Sequence, residues 1–78
     1  MPHNATEVEL MDMLEKAKIR ISHWISHNDH HREEYELFAE QLEEAGKSTA
    51  AGQIRELARL QEASTECLRK ALRDLEGR

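Results

Sequence analysis

The sequence predicts an all-α protein: an antiparallel helical hairpin that pairs with a second copy into a four-helix bundle. Three observations predict it. Between Thr6 and Ala45 there is neither proline nor glycine to interrupt a helix. Apolar residues recur at alternating spacings of three and four, the pattern of a helix packed along its length. A single short break at Gly46-Lys47 separates two such stretches, and so short a connection forces the flanking helices to be antiparallel neighbours.

Each element has its own signals. Residues 1–5 read as a disordered tail and 6–78 as one helical-hairpin domain. Thr6 with Glu9 three residues later forms a capping box, and Glu7 adds negative charge where the helix dipole favours it. The first helix is therefore expected over about 6–45, with Gly46 as its C-cap glycine. A turn over 46–48 follows, and Ser48 or Thr49 caps a second helix over about 49–76. A first helix of that length is long for a globular protein. Ser26 or Asn28 is the place where it would break, and the unbroken heptad argues against a break.

That heptad runs through Leu14, Ala17, Ile21, Trp24, Asn28, His31, Tyr35, Phe38, Leu42 and Ala45. The second helix answers with Ala50, Ile54, Leu57, Gln61, Ser64, Leu68, Ala71 and Leu75, flanked by Leu60, Cys67 and Leu72. Gly52 reads as a close-packing point against Leu42. Apolar residues beside the seam, such as Met11, Ile25, Leu60 and Leu72, widen each stripe beyond what one hairpin covers. A wide stripe suits a four-helix bundle, and a two-fold related copy is its simplest source. The first helix also outruns the second, so Val8 to Ala17 needs cover from elsewhere.

Composition narrows the function. The chain has 78 residues, 35% of them charged and 38% hydrophobic, with a net charge of −5. A chain this short rarely draws more than about 3–5 kcal/mol from its own core. Cys67 is the only cysteine, so no disulfide within the chain can help, and a metal or self-association remains. The acidic balance disfavours nucleic acid, whose binding needs clustered Lys and Arg. Arg55, Arg59, Arg69, Lys70 and Arg73 are interleaved with Glu56, Glu62, Glu66 and Asp74 as on a solvated helix face. No apolar run approaches the roughly 20 residues of a membrane span. No basic-then-apolar leader is visible at Met1-Pro2-His3-Asn4. The expected compartment is the cytoplasm.

The unusual feature is a cluster of histidines. His23, His27, His30 and His31 lie within nine positions, followed by Glu33 and Glu34. At about 100° per residue, His23, His27, His30 and Glu34 share a sector of roughly 60°, with His31 on its core side. His23, His27 and His31 step by four, so each stacks one turn above the last. An i, i+4 histidine pair is how a helix brings two imidazoles to one metal ion. With the turn centred on Lys47, His31 faces Ser64, Asn28 faces Cys67, His27 lies near Leu68 and Glu34 approaches Gln61. Asn28, His31, Gln61 and Ser64 then form a polar layer walled by Trp24, Tyr35 and Phe38, with Cys67 within a turn. The metal ligands expected are His27 and His31, then His23, with Glu34, His30 and Cys67 as completing donors. Imidazole and thiolate suit Zn, Ni or Cu rather than Mg or Ca.

Each residue also has a plainer role. Buried Asn28 and His31 would fix register and oligomer state, His23 and His30 would be solvated, and Cys67 would be a small core residue. Catalysis is not expected. There is no His-Glu-x-x-His motif, no Glu-x-x-His as in di-iron bundles, and no glycine-rich loop to serve a Cys67–histidine nucleophile.

At His23-Trp24-Ile25-Ser26-His27-Asn28-Asp29-His30-His31, running on to Glu34-Tyr35, the chain resembles a family of small prokaryotic proteins of unknown function. Their shared stretch is His-Trp-Ile-x-His-Asn-x-x-His, followed by an aromatic, a glycine-containing turn and a generic second helix. The resemblance covers about Ile19 to Leu75. It maps His23, His27, Asn28 and His31 onto the motif and puts His30 at a variable position, and it brings no activity. Two functions thus compete. One is a small cytoplasmic homodimer binding a transition metal, for storage, delivery, sensing or as a structural ion. The other is a non-enzymatic dimeric interaction module, with an unidentified protein partner and histidines serving packing or pH response.

Overall fold

The computed structural model describes residues 6–77; the tail expected to be disordered, 1–5, lies outside them. Two helices, α1 (Glu7–Glu44) and α2 (Ser48–Leu75), pack against each other as a hairpin. Helix α1 is continuous through Ser26 and Asn28. It opens on the full capping box: Thr6 Oγ1 accepts from the Glu9 amide at 3.1 Å, and the Thr6 amide donates to Glu9 Oε2 at 3.4 Å. Among the described residues, no helix is long and apolar enough to cross a membrane.

The turn closes as a Schellman motif. The Lys47 amide donates to the Leu42 carbonyl at 2.8 Å and the Gly46 amide to that of Glu43 at 3.0 Å, with Gly46 at φ 78°. A left-handed residue here favours glycine because it carries no Cβ. The second helix does not begin as expected. Lys47 occupies its N-cap position without a side-chain cap, and Ser48 is already helical. Instead of capping, the Ser48 hydroxyl donates to Glu43 Oε2 at 2.6 Å, while Arg55 holds Glu43 Oε1 at 2.8 Å. Gly52 is not a packing point either: a Cβ there would meet nothing within 4 Å.

The packed seam differs from the expected one in half its rows. On α1 the row Leu14, Ile21, Asn28, Tyr35, Leu42 faces inward as read, but its companions are Ile25, Arg32 and Ala39 rather than Trp24, His31 and Phe38. On α2 the row Ile54, Gln61, Leu68, Leu75 is paired with Ala51, Ala58, Thr65 and Leu72 rather than Ala50, Leu57, Ser64 and Ala71. Both alternatives keep the three–four spacing; they differ by one residue, about 100° of rotation. The physical reason is size. Ala39 and Ala51 at 0% exposure, Ala58 at 3% and Thr65 at 0% form the buried core, and small side chains let two backbones approach closely. The Thr65 hydroxyl turns back to the Gln61 carbonyl at 2.9 Å, so its burial leaves no unpaired group.

This choice makes the hairpin two-sided. Along one edge runs a ladder of ion pairs between the helices: Glu43–Arg55 at 2.8 Å, Arg32–Glu62 at 3.1 Å and Asp29–Arg69 at 3.1 Å. The opposite edge carries Trp24, Phe38, Leu57 and Leu60, exposed by 47%, 49%, 39% and 52%. The aromatic wall expected around the polar layer therefore stands open, except for Tyr35. Helix α1, with 38 residues against 28 in α2, overhangs by about 15 Å at 1.5 Å per residue. Val8, Leu10, Met11 and Met13 are exposed on the overhang. The molecule measures 65 × 27 × 14 Å, a single layer of helices.

Two outcomes follow from this packing. Ala39→Leu places extra carbons where the backbones meet, and should lower stability by about 1–3 kcal/mol in urea unfolding. Glu43 is held below the ordinary carboxylate range, first by the Ser48 hydroxyl and then by Arg55. A lowered folded-state pKa contributes stability that is present above the ordinary carboxylate pKa and is lost as the pH falls through the lowered one. Acid unfolding of Glu43→Gln should thus be less steep than that of the wild type at the acid end, with the two converging in strong acid.

Candidate metal centre

Four rings stand in a column on α1 because residues four apart lie on one face, one turn above another. His23 stacks on His27 with centroids 6.0 Å apart and planes 20° apart. His27 meets His31 edge to face at 4.4 Å and 89°, and His31 lies parallel to Tyr35 at 6.1 Å and 14°. Within the column, His27 Nε2 and His31 Nε2 come within 2.9 Å. The other nitrogen of His31, Nδ1, lies 2.9 Å from Glu34 Oε1. A carboxylate only accepts, so Nδ1 carries the proton and donates to Glu34. In the neutral ring His31 Nε2 is then bare and accepts from His27 Nε2–H.

That is the arrangement in which a metal-binding histidine is usually held. Its second nitrogen is tied to a carboxylate, which sets the tautomer and turns the bare nitrogen toward the ion. Two imidazoles on one tetrahedral ion, with bonds of about 2.0–2.1 Å, hold their nitrogens roughly 3.3 Å apart. The observed 2.9 Å is within a small ring rotation of that value. His27 is exposed and His31 half-buried, so the pair opens to the outside.

The remaining expected ligands separate. His23 is exposed beside Lys16, Ile19, Arg20 and Trp24. His30 points to another side, in a shallow depression with Ser22, Ile25, Ser26, Asp29 and Glu33. Cys67 is an exposed free thiol on α2 rather than facing Asn28 beside the polar layer. Ser64 is exposed too; Thr65 takes the inward position beside Asn28 and Gln61. Among the described residues, no three histidine, cysteine or acidic side chains converge on a point that would hold a metal ion. One chain thus brings together two imidazole nitrogens and one carboxylate, from His27, His31 and Glu34.

Asp29 and Arg32 carried no expected role and Arg69 was expected on a solvated face, yet all three link the helices level with the histidines. Their signal was present: opposite charges at matching levels on the two helices, in line with the small residues Ala39, Ala58 and Thr65.

A family model for a domain of unknown function (DUF8180) matches residues 17–75. The chain belongs to this family. The matched span holds the turn, all of α2, and α1 from Ala17 onward, so the histidine column, Glu34 and Cys67 lie within it, while Val8 to Lys16 lie outside. The expected resemblance to an uncharacterised family is met at that level. No curated protein and no solved structure matches the chain.

The tautomer can be checked directly. Nitrogen-resolved NMR of the metal-free protein near neutral pH should show His31 protonated at Nδ1, and Glu34→Gln should shift the tautomer balance of His31 more than that of His23.

Proposed function

We propose that this protein binds a transition-metal ion through His27 and His31. The observation that carries the reading is the convergence of two Nε2 atoms to 2.9 Å with Glu34 on the far nitrogen of His31. Neutral imidazoles select borderline ions such as Zn(II), Ni(II) or Cu(II) over Mg(II) and Ca(II). Two ligands from one chain leave coordination positions free, which suits storage, delivery or sensing, or an ion shared between chains. In this reading the protein is a cytoplasmic homodimer, a four-helix bundle formed by two hairpins, and it performs no catalytic step.

A second reading has its own support. The exposed Trp24, Phe38, Leu57 and Leu60 favour an interaction module in which the histidines only pack or respond to pH. Chelation separates the two. If the ion is structural, EDTA lowers the melting temperature; in the interaction module it changes nothing.

Native mass spectrometry and elemental analysis of untagged protein are expected to show bound Zn(II) or Ni(II) at micromolar metal. Binding should weaken as the pH falls, because the ligands must be unprotonated. His27→Ala with His31→Ala should abolish it. Glu34→Gln should weaken it about 10-fold or more, as loss of a supporting carboxylate does. Absence of metal from the wild type, or binding unchanged in the double variant, rejects the proposal.

A further inference from the structure

The clamp lies on the open side of the hairpin. With Ile25, Arg32 and Ala39 turned toward α2, the row Trp24, His31, Phe38 is displaced toward the edge opposite the ion-pair ladder, and His27 lies beside it. On α2 the inward rotation of Ala58 and Thr65 leaves Leu57 and Leu60 exposed on the same open edge, and the exposed thiol of Cys67 lies farther round, at the outer flank of that edge, as His27 does on α1. One chain leaves this side uncovered.

We infer that a second copy covers it about a two-fold axis parallel to the helices, and that the partner's Cys67 completes the metal site begun by His27 and His31. The inference rests on the metal-binding reading above. Such an axis keeps every residue at its own level, so α1 of one copy meets α2 of the other in the register already seen within the chain. The ladder fixes that register through Asp29–Arg69 and Arg32–Glu62. In it, the level of Cys67 falls between those of His27 and His31. Phe38 lies against the partner's Leu57, and Trp24 against the partner's Ala71.

Two observations favour this occupant and this axis. The first is charge. Arg20, one heptad before His27, and Asp74, one heptad after Cys67, sit outside the ion-pair ladder. The two-fold sets each Arg20 level with the partner's Asp74, twice per dimer, flanking the site. The second is the overhang. An axis parallel to the helices brings the two exposed Val8–Met13 segments to the same end of the bundle, where they can cover each other. An axis across the helices would send them to opposite ends.

The completed site has two imidazole nitrogens and one thiolate, and each dimer has two such sites. Binding a divalent ion displaces the Cys67 proton to solvent, and a fourth position remains for water or a delivered ligand. Thiolate keeps Zn(II) and Ni(II) in the class and brings in Cu(I) as well.

The experiment is complementation followed with Co(II), whose bond to thiolate gives a near-ultraviolet charge-transfer band. The wild-type dimer should bind one Co(II) per chain and show the band. Cys67→Ser should lose the band, and His27→Ala with His31→Ala should lose the metal. Co-expressed and purified as a mixed dimer, these two variants should recover one thiolate-ligated Co(II) per dimer, since one chain keeps the imidazoles and the other the thiol. Phe38→Glu should give a helical monomer without the band. A mixed dimer that fails to recover the band overturns the inference, as does a wild-type monomer or a band that persists in monomeric Phe38→Glu. Co(II) bound without any thiolate band overturns it and leaves the His27–His31 reading standing. No Co(II) bound at all rejects both.

Discussion

The burial of Ala39, Ala51 and Ala58 between the two helices governs the rest of this hairpin. Alanine leaves no side chain to hold the helices apart, so α1 and α2 settle with their smallest residues between them and Thr65 continuing the row. Helices are rigid bodies in rotation, and setting one row inward sets every other row. Ile25 and Arg32 follow Ala39 toward the partner helix, while Trp24, His31 and Phe38 are carried outward. The Schellman turn at Gly46 and the grip of Ser48 and Arg55 on Glu43 hold that rotation at the closed end.

Single surface ion pairs contribute little, about 0–1 kcal/mol each. The value of Asp29–Arg69 and Arg32–Glu62 here lies in placement. They occupy one edge and satisfy charges across the helix pair, which fixes register and leaves the opposite edge to apolar side chains and the histidine column. The clamp inherits its exposure from that division. His31 is held by Glu34 from its own helix, so the His27–His31–Glu34 contacts form whatever covers the open side.

The helical hairpin was legible from the capping box at Thr6, the lack of breakers up to Ala45 and the glycine at 46. The central rows, Ile21 to Leu42 on α1 and Ile54 to Leu75 on α2, were legible as well. The companion row was not, because positions three and four residues on fit a heptad equally well. Reading by size favoured Trp24, Phe38 and Leu57, whereas the packing uses the small residues that permit contact. The histidine column and its Glu34 support depend only on helical spacing within α1 and could be read directly. The position of Cys67 depends on how α2 is rotated against α1, a tertiary property, and so the expectation that it faces Asn28 beside the polar layer was not met.

Because ion pairs and apolar side chains are segregated to opposite edges, dissolved salt pulls on the two sides differently. Mobile ions screen the exposed carboxylate–guanidinium ladder. Strongly hydrated anions such as sulfate, being excluded from protein surfaces, raise the tendency of Trp24, Phe38, Leu57 and Leu60 to leave water. The choice of buffer ion is thus a dial that loosens one edge of the molecule while making the other more adhesive.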